Sequence, residues 1–128
     1  MALLFNNTGE SLALAIMVNK TAAANLTYHL YSNDKTPSET DVLTDYTEAS
    51  AAGYSAITTT GASWDTTSVS GSASYAQQTF TFTTDETVYG YFVKKGTTML
   101  FSERFSGAPF SIPTSGGTVA VTPKITAD

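Results

Sequence analysis

Along most of this chain, larger apolar side chains recur at every second residue. That is the repeat of a β-strand, whose successive side chains point to opposite faces. Leu12, Leu14, Ile16 and Val18 alternate with Ala13, Ala15 and Met17, and Leu26, Tyr28 and Leu30 alternate with Thr27, His29 and Tyr31. The same rhythm returns at Phe80 and Phe82, at Met99, Phe101, Glu103 and Phe105, and at Val119, Val121 and Ile125. Val88 to Val93 is apolar on both faces, which suits a strand covered on both sides or one whose outer tyrosines meet a partner. Gly90 inside that run predicts a bulge or a close neighbour.

Turn residues separate these runs. Asn33 to Pro37, Ser106 to Pro109 and Thr114 to Gly117 punctuate the chain, while Thr84-Asp85-Glu86 and Lys94 to Thr97 are short enough to close hairpins. Shorter strands are expected near Tyr54 to Thr58 and Ser63 to Thr67. The Ala and Leu content of Ser11 to Ala24 also suits a helix, but the alternation of its larger residues favours a strand. The sum is an all-β fold, a single antiparallel β-sandwich of jelly-roll-like type with about eight to ten short strands. Residues 1–10 read as an N-terminal arm or edge strand and residues 11–128 as the sandwich domain.

At 128 residues the chain is long enough for one core. Only 13% of it is charged, and Ser and Thr take the place of the missing charges. Threonine is β-branched and suits the exposed face of a strand. A net charge of −5 opposes phosphate, so nucleic acid is not an expected partner. The run from Leu12 to Val18 is too short to cross a bilayer as a helix, and Met1 to Asn7 carries no basic leader signature, so no membrane partner is expected. There is no cysteine, hence no disulfide or thiolate chemistry.

Catalysis needs a tuned titratable group with a partner. His29 is the only histidine, and its alternation opposite Tyr28 and Leu30 predicts a surface or interface position. There is no nucleophile elbow, phosphate loop or dinucleotide fingerprint. Asp34, Glu39, Asp41, Asp45 and Glu48 cluster in one stretch, but their spacing fits no EF-hand, and a solvated acidic loop is the expectation. Catalytic residues, cofactors and metals are therefore all expected to be none. Three Asn-x-Thr triplets, at Asn6, Asn19 and Asn25, are what chance provides in a Thr-rich chain.

What remains is binding. Trp64, Tyr89 and Tyr91 belong to a set of aromatics that either fill the core or anchor an interface. Leu3, Leu4 and Phe5 lie in an apolar terminus that forms an edge strand here or pairs with a neighbouring subunit's sheet. The polar stretch from Asp34 to Ser74 supplies candidate binding loops.

The chain also resembles small virion proteins of tailed bacteriophages. The likeness rests on Leu30 to Asp34 with Thr36-Pro37, Tyr46 to Ser50 with Gly53-Tyr54, Tyr75 to Phe82, Val88 to Phe92 and Val121 to Ile125, and it spans Leu26 to Asp128. Some proteins of that kind are capsid decoration, or cement, proteins with a jelly-roll sandwich that sit as trimers on the outer surface of the head. The resemblance implies a non-enzymatic virion protein that binds across capsomers of the major capsid protein and to itself as a homotrimer. A tail or neck component, and a carbohydrate-binding or adhesin module using Trp64, are the alternatives.

Overall fold

A computed structural model describes residues 3–127 of the chain. After a short strand, β1 (Leu4–Phe5), comes a helix, α1 (Asn7–Met17). The alternation predicts a strand there, and this corrects it. The ends of the segment decide the matter. Asn6 caps the helix, its Oδ1 accepting the Gly9 N–H at 2.7 Å. At the other end Asn19 takes a positive φ of 60°. The Asn19 N–H then donates to Ile16 O and the Lys20 N–H to Ala15 O, which closes the last turn in a Schellman arrangement. Between these caps, alanine at alternate positions favours the helix, and Leu12 and Ile16 fall one turn apart on a single face.

The strands that follow are β2 (Thr27–Tyr31), β3 (Ile57–Thr58), β4 (Ser72–Ser74), β5 (Gln78–Phe82), β6 (Glu86–Val88), β7 (Gly90–Lys95), β8 (Thr98–Arg104), β9 (Phe110–Ile112), β10 (Gly117–Val121) and β11 (Lys124–Thr126). From Ser72 onward they nest. β7 pairs with β8, β6 with β9, β5 with β10 and β4 with β11, all antiparallel. The second half of the chain is thus one long hairpin whose tip is the Lys94–Thr97 turn, with Gly96 at φ 60°. Two corrections follow. Thr84–Glu86 does not close a hairpin, because β5 and β6 pair with other strands. Ser63–Thr67 is not a strand either; a 3-10 turn at Gly61–Ser63 and a lone bridge from Asp65 to Ser74 take its place.

The hairpin folds back on itself to make a β-sandwich-like core. Its tip half lies in a five-stranded sheet of order β1-β8-β7-β2-β3. Tyr28, Leu30, Tyr91, Val93 and Phe101 from that sheet meet Phe80, Phe82, Val119 and Val121 from the β5–β10 ribbon. Leu30, Val88 and Val93 are fully buried. Each such side chain contributes about 1.5–3 kcal/mol relative to exposure. Tyr28 also lies here, and its hydroxyl is buried without a hydrogen-bond partner among the described residues.

Two local features fit the layers together. The β7–β8 register slips between Val93 and Lys94, which leaves Leu100 as the extra residue of a bulge. Leu100 O accepts the Asn6 N–H at 3.3 Å, and Gly9 lies so close to that carbonyl that any side chain would collide with it. This contact seats α1 on β8. At Gly90 a Cβ would collide with Glu103 O and crowd the Tyr31 ring, which is the close approach expected of a glycine within a strand.

Candidate protein-binding surface

The acidic stretch after β2 is solvated at Asp34, Glu39, Asp45 and Glu48, which are exposed, but it buries Asp41. It folds across the face of the five-stranded sheet turned away from the ribbon, over Tyr31, Phe92 and Met99. Tyr46 is the plug, edge-on to Tyr31 with ring centroids 5.0 Å apart. Its hydroxyl donates to Asp41 Oδ2 at 2.7 Å and lies 2.9 Å from Ser102 Oγ. Asp41 is buried, with Lys35 Nζ 2.7 Å from Oδ1 and the Ser38 N–H donating to Oδ2 at 2.8 Å. Burial pushes the Asp41 carboxyl up, but bonds from Lys35, Tyr46 and Ser38 outweigh it and hold the group below the usual carboxylate value.

Three of the other carboxylates are engaged one by one, while Glu39 is exposed. Asp45 accepts the Val42 N–H, Asp34 pairs with Arg104 at 2.7 Å, and Glu48 reaches His29. They do not converge: among the described residues no group of three His, Asp or Glu side chains is placed to hold a metal ion.

His29 is buried, not at the surface as its alternation predicts. Both faces of β2 are covered, so alternation cannot separate inside from outside there. The imidazole stacks on Phe92 at 5.0 Å. Its Nδ1 lies 2.6 Å from Glu48 Oε1, and a carboxylate can only accept, so Nδ1 carries the proton. Glu48 Oε1 also accepts from the Tyr54 hydroxyl, which in turn takes the Leu30 N–H at 3.0 Å. That last bond satisfies an edge group of β2 beyond the end of β3. The cluster is a brace between β2 and its covering loops.

The residues singled out for binding separate into two groups. Tyr91 is 4% exposed and packs on Tyr28 in the core, so its side chain has no surface to offer a partner; the expectation there is corrected. Phe5 packs on Phe101 at 5.0 Å, and Leu3 lies against the same core. Leu4 and Phe5 pair with Ser102 and Phe101 of their own β8. Tyr89 is half-buried beneath the Arg104 guanidinium, 5.2 Å from its ring centroid. Trp64 is half-buried on Tyr75 at 5.2 Å, with its indole N–H donating to Thr59 Oγ1 at 3.2 Å.

Trp64 does border a surface the sequence reading missed. The outward arc of α1 is polar at its start and apolar at its end, with Leu14, Met17 and Val18 exposed by 58%, 73% and 68%. Beside it runs an open groove of about 520 Å³ lined by Ile16, Ala23, Leu26, Trp64 and Ile125. Beside the other flank a second hollow is lined by Phe5, Glu10, Ala13, Leu14 and Ala127. Contiguous exposed apolar area of this kind marks a protein-binding face more often than single scattered residues do. The signal that would have found it is the pair of caps, Asn6 and Asn19: once the segment is helical, Leu14, Met17 and Val18 share the face opposite Leu12. No family model, curated protein or solved structure matches the chain.

Proposed function

We propose that this chain is a non-enzymatic structural protein of a bacteriophage virion, one that decorates the outer surface of the head by binding across subunits of the major capsid protein. The observation that carries the binding half of this reading is the apolar end of α1 with its flanking groove. The virion half rests on the resemblance. It is supported by the nested pairing of β4 with β11, β5 with β10, β6 with β9 and β7 with β8, the order in which a jelly roll winds its strand pairs.

The mechanism is mechanical. A protein bound across a seam between capsomers adds its interface energy to the work of separating them. Many symmetric copies share the load, so each contact need only be modest.

Electron cryomicroscopy of the particle tests this directly. Density for the chain on the outside of the shell, with α1 against the capsid protein, is the expected result. Density at the tail, or absence from purified particles, rejects it. A matched pair of variants, Met17→Asp and Val18→Asp, is expected to lower retention on particles without unfolding the protein.

A further inference from the structure

Helix α1 is started with help from outside itself. The first N–H groups of a helix have no partner within it. Here the Asn7 N–H donates to Glu39 O at 2.8 Å, the Gly9 N–H to Asn6 Oδ1 at 2.7 Å and the Glu10 N–H to Asn6 O at 2.9 Å. Asn6 is tied down in turn. It is buried, and its Nδ2 donates to Asp41 O at 2.9 Å. Two carbonyls of the acidic stretch, those of Glu39 and Asp41, thus hold the start of the helix.

The Asp41 carboxylate sets both carbonyls. Its Oδ2 accepts the Ser38 N–H at 2.8 Å while the Asp41 N–H donates to Ser38 O at 3.0 Å, which closes residues 38–41 into a reciprocal turn. The same oxygen takes the Tyr46 hydroxyl, and Oδ1 takes Lys35 Nζ, each at 2.7 Å. All three partners are donors, and a carboxylate meets them with acceptors alone. Asp41 is buried, so water does not stand in for it. This corner is fixed by polar bonds, whereas the sheet and the ribbon are joined by apolar side chains such as Phe80, Val93, Phe101 and Val119. The two regions can therefore open at different free energies.

We propose that residues 35–46 and the first turn of α1 are one cooperative unit, latched by the Asp41 carboxylate, which opens as a whole while the core stays folded. With its start released, α1 keeps the contacts of Gly9 with Leu100 O and of Leu12 with the core. Its far end, with Leu14, Met17 and Val18, is then free to tilt about them. Asp41 is thus a positioning residue for a face it does not touch. This consequence rests on the reading of that face as the shell contact. The latch itself is read on purified protein, whereas shell binding is read on particles, so either can fail without the other.

Hydrogen exchange followed by nuclear magnetic resonance on the full chain tests it. In the unmodified protein the amides of Asn7, Gly9 and Ser38 are expected to open together as urea is raised, well before the amides of β7. Two variants then act at opposite ends of the unit. Asp41→Asn sets an amide N–H against the donors that the carboxylate accepts. Asn6→Ser keeps an oxygen to cap Gly9 but loses the donor to Asp41 O. Each is expected to lower the protection of all three amides by one common factor, about 10- to 100-fold for Asp41→Asn and about 10-fold or less for Asn6→Ser. Should Asp41→Asn not fold, the urea series and Asn6→Ser still decide. The proposal is overturned if Asn6→Ser leaves Ser38 protected, if Asp41→Asn leaves Asn7 protected, or if the three amides open only together with β7. Retention of Asp41→Asn on particles is expected to fall; unchanged retention beside lowered protection overturns the docking of α1 and leaves the latch standing.

Discussion

Replacing Tyr46 by Phe removes one oxygen and leaves the ring that plugs the outer face of the five-stranded sheet. The hydroxyl donates to the buried Asp41 carboxylate at 2.7 Å and lies 2.9 Å from Ser102 Oγ. A hydrogen bond to a charged group contributes about 1.5–3 kcal/mol, and the stranded Ser102 hydroxyl adds to the loss, so Tyr46→Phe is expected to cost about 2–3 kcal/mol. With an unfolding entropy of about 2.1 cal/mol/K per residue, a chain of 128 residues loses about 4 °C of Tm per kcal/mol, hence about 7–11 °C here. The pH dependence is the sharper test. Asp41 is held below its ordinary value of 3.8, so at low pH the unfolded chain takes up the proton first. The resulting stability is present above that ordinary value and is lost as pH falls through the folded one. Tyr46→Phe removes one of the donors that lower Asp41. The gap between the two proteins is therefore widest near neutral pH and narrows in acid. Differential scanning calorimetry from neutral pH down to about pH 3 measures both quantities. A Tm within about 1 °C of the unmodified protein, or a gap that stays constant with pH, refutes the reasoning.

Gly9→Ala drives a methyl into the Leu100 carbonyl and is expected to cost about 3 kcal/mol in urea unfolding, because backbone and not a flexible side chain must move. Asn6→Ala removes both the cap on Gly9 N–H and the donor to Asp41 O, for an expected loss of about 2 kcal/mol by the same measurement. At high pH, burial raises the hydroxyls of Tyr28, Tyr46, Tyr54 and Tyr91, and that of Tyr31 to about 12. The folded state then keeps protons that the unfolded chain has released. Stability is intact below the unfolded value of 10.0 and falls as pH rises towards about 12. Tyr75, whose hydroxyl the Thr60 N–H holds below its ordinary value, ionises before unfolding, whereas the rest of the tyrosinate absorbance at 295 nm is expected to climb together with the loss of circular dichroism; a rise before unfolding that accounts for most of the absorbance counts against this burial. Leu14→Asp is expected to change Tm by less than about 2 °C, since Leu14 is 58% exposed.

Much of the second half of the chain is legible before any coordinates. Thr79, Thr81, Thr118 and Ala120 face out while Phe80, Phe82, Val119 and Val121 face in, because a two-layer fold wets only one side of this ribbon. The Lys94–Thr97 turn and the close approach at Gly90 are also readable, since glycine there has few other uses. Alternation fails where both faces are covered. His29 and Tyr91 each lie opposite an apolar neighbour, yet both are buried, one beneath the acidic loop and the other in the core. It fails again at α1, where alanine between larger residues fits either period and only Asn6 and Asn19 discriminate. Local sequence does not predict that Thr84–Glu86 joins strands with distant partners, because those partners are set by the nesting of the whole hairpin.

That nesting fixes the order in which the chain can gain stability as it is made. The innermost pairs, around Lys95 and Thr98, are near neighbours, but Ser72 must wait for Thr126. β2 has its principal partner in β7, which lies far downstream. While the first half is emerging from a ribosome it has almost nothing to pair with, and the apolar residues of α1 and β2 stay unprotected until the closing strands arrive. Contacts so distant along the chain make for slow acquisition of structure, and the outer strand pairs of this fold cannot close until β11 has been made.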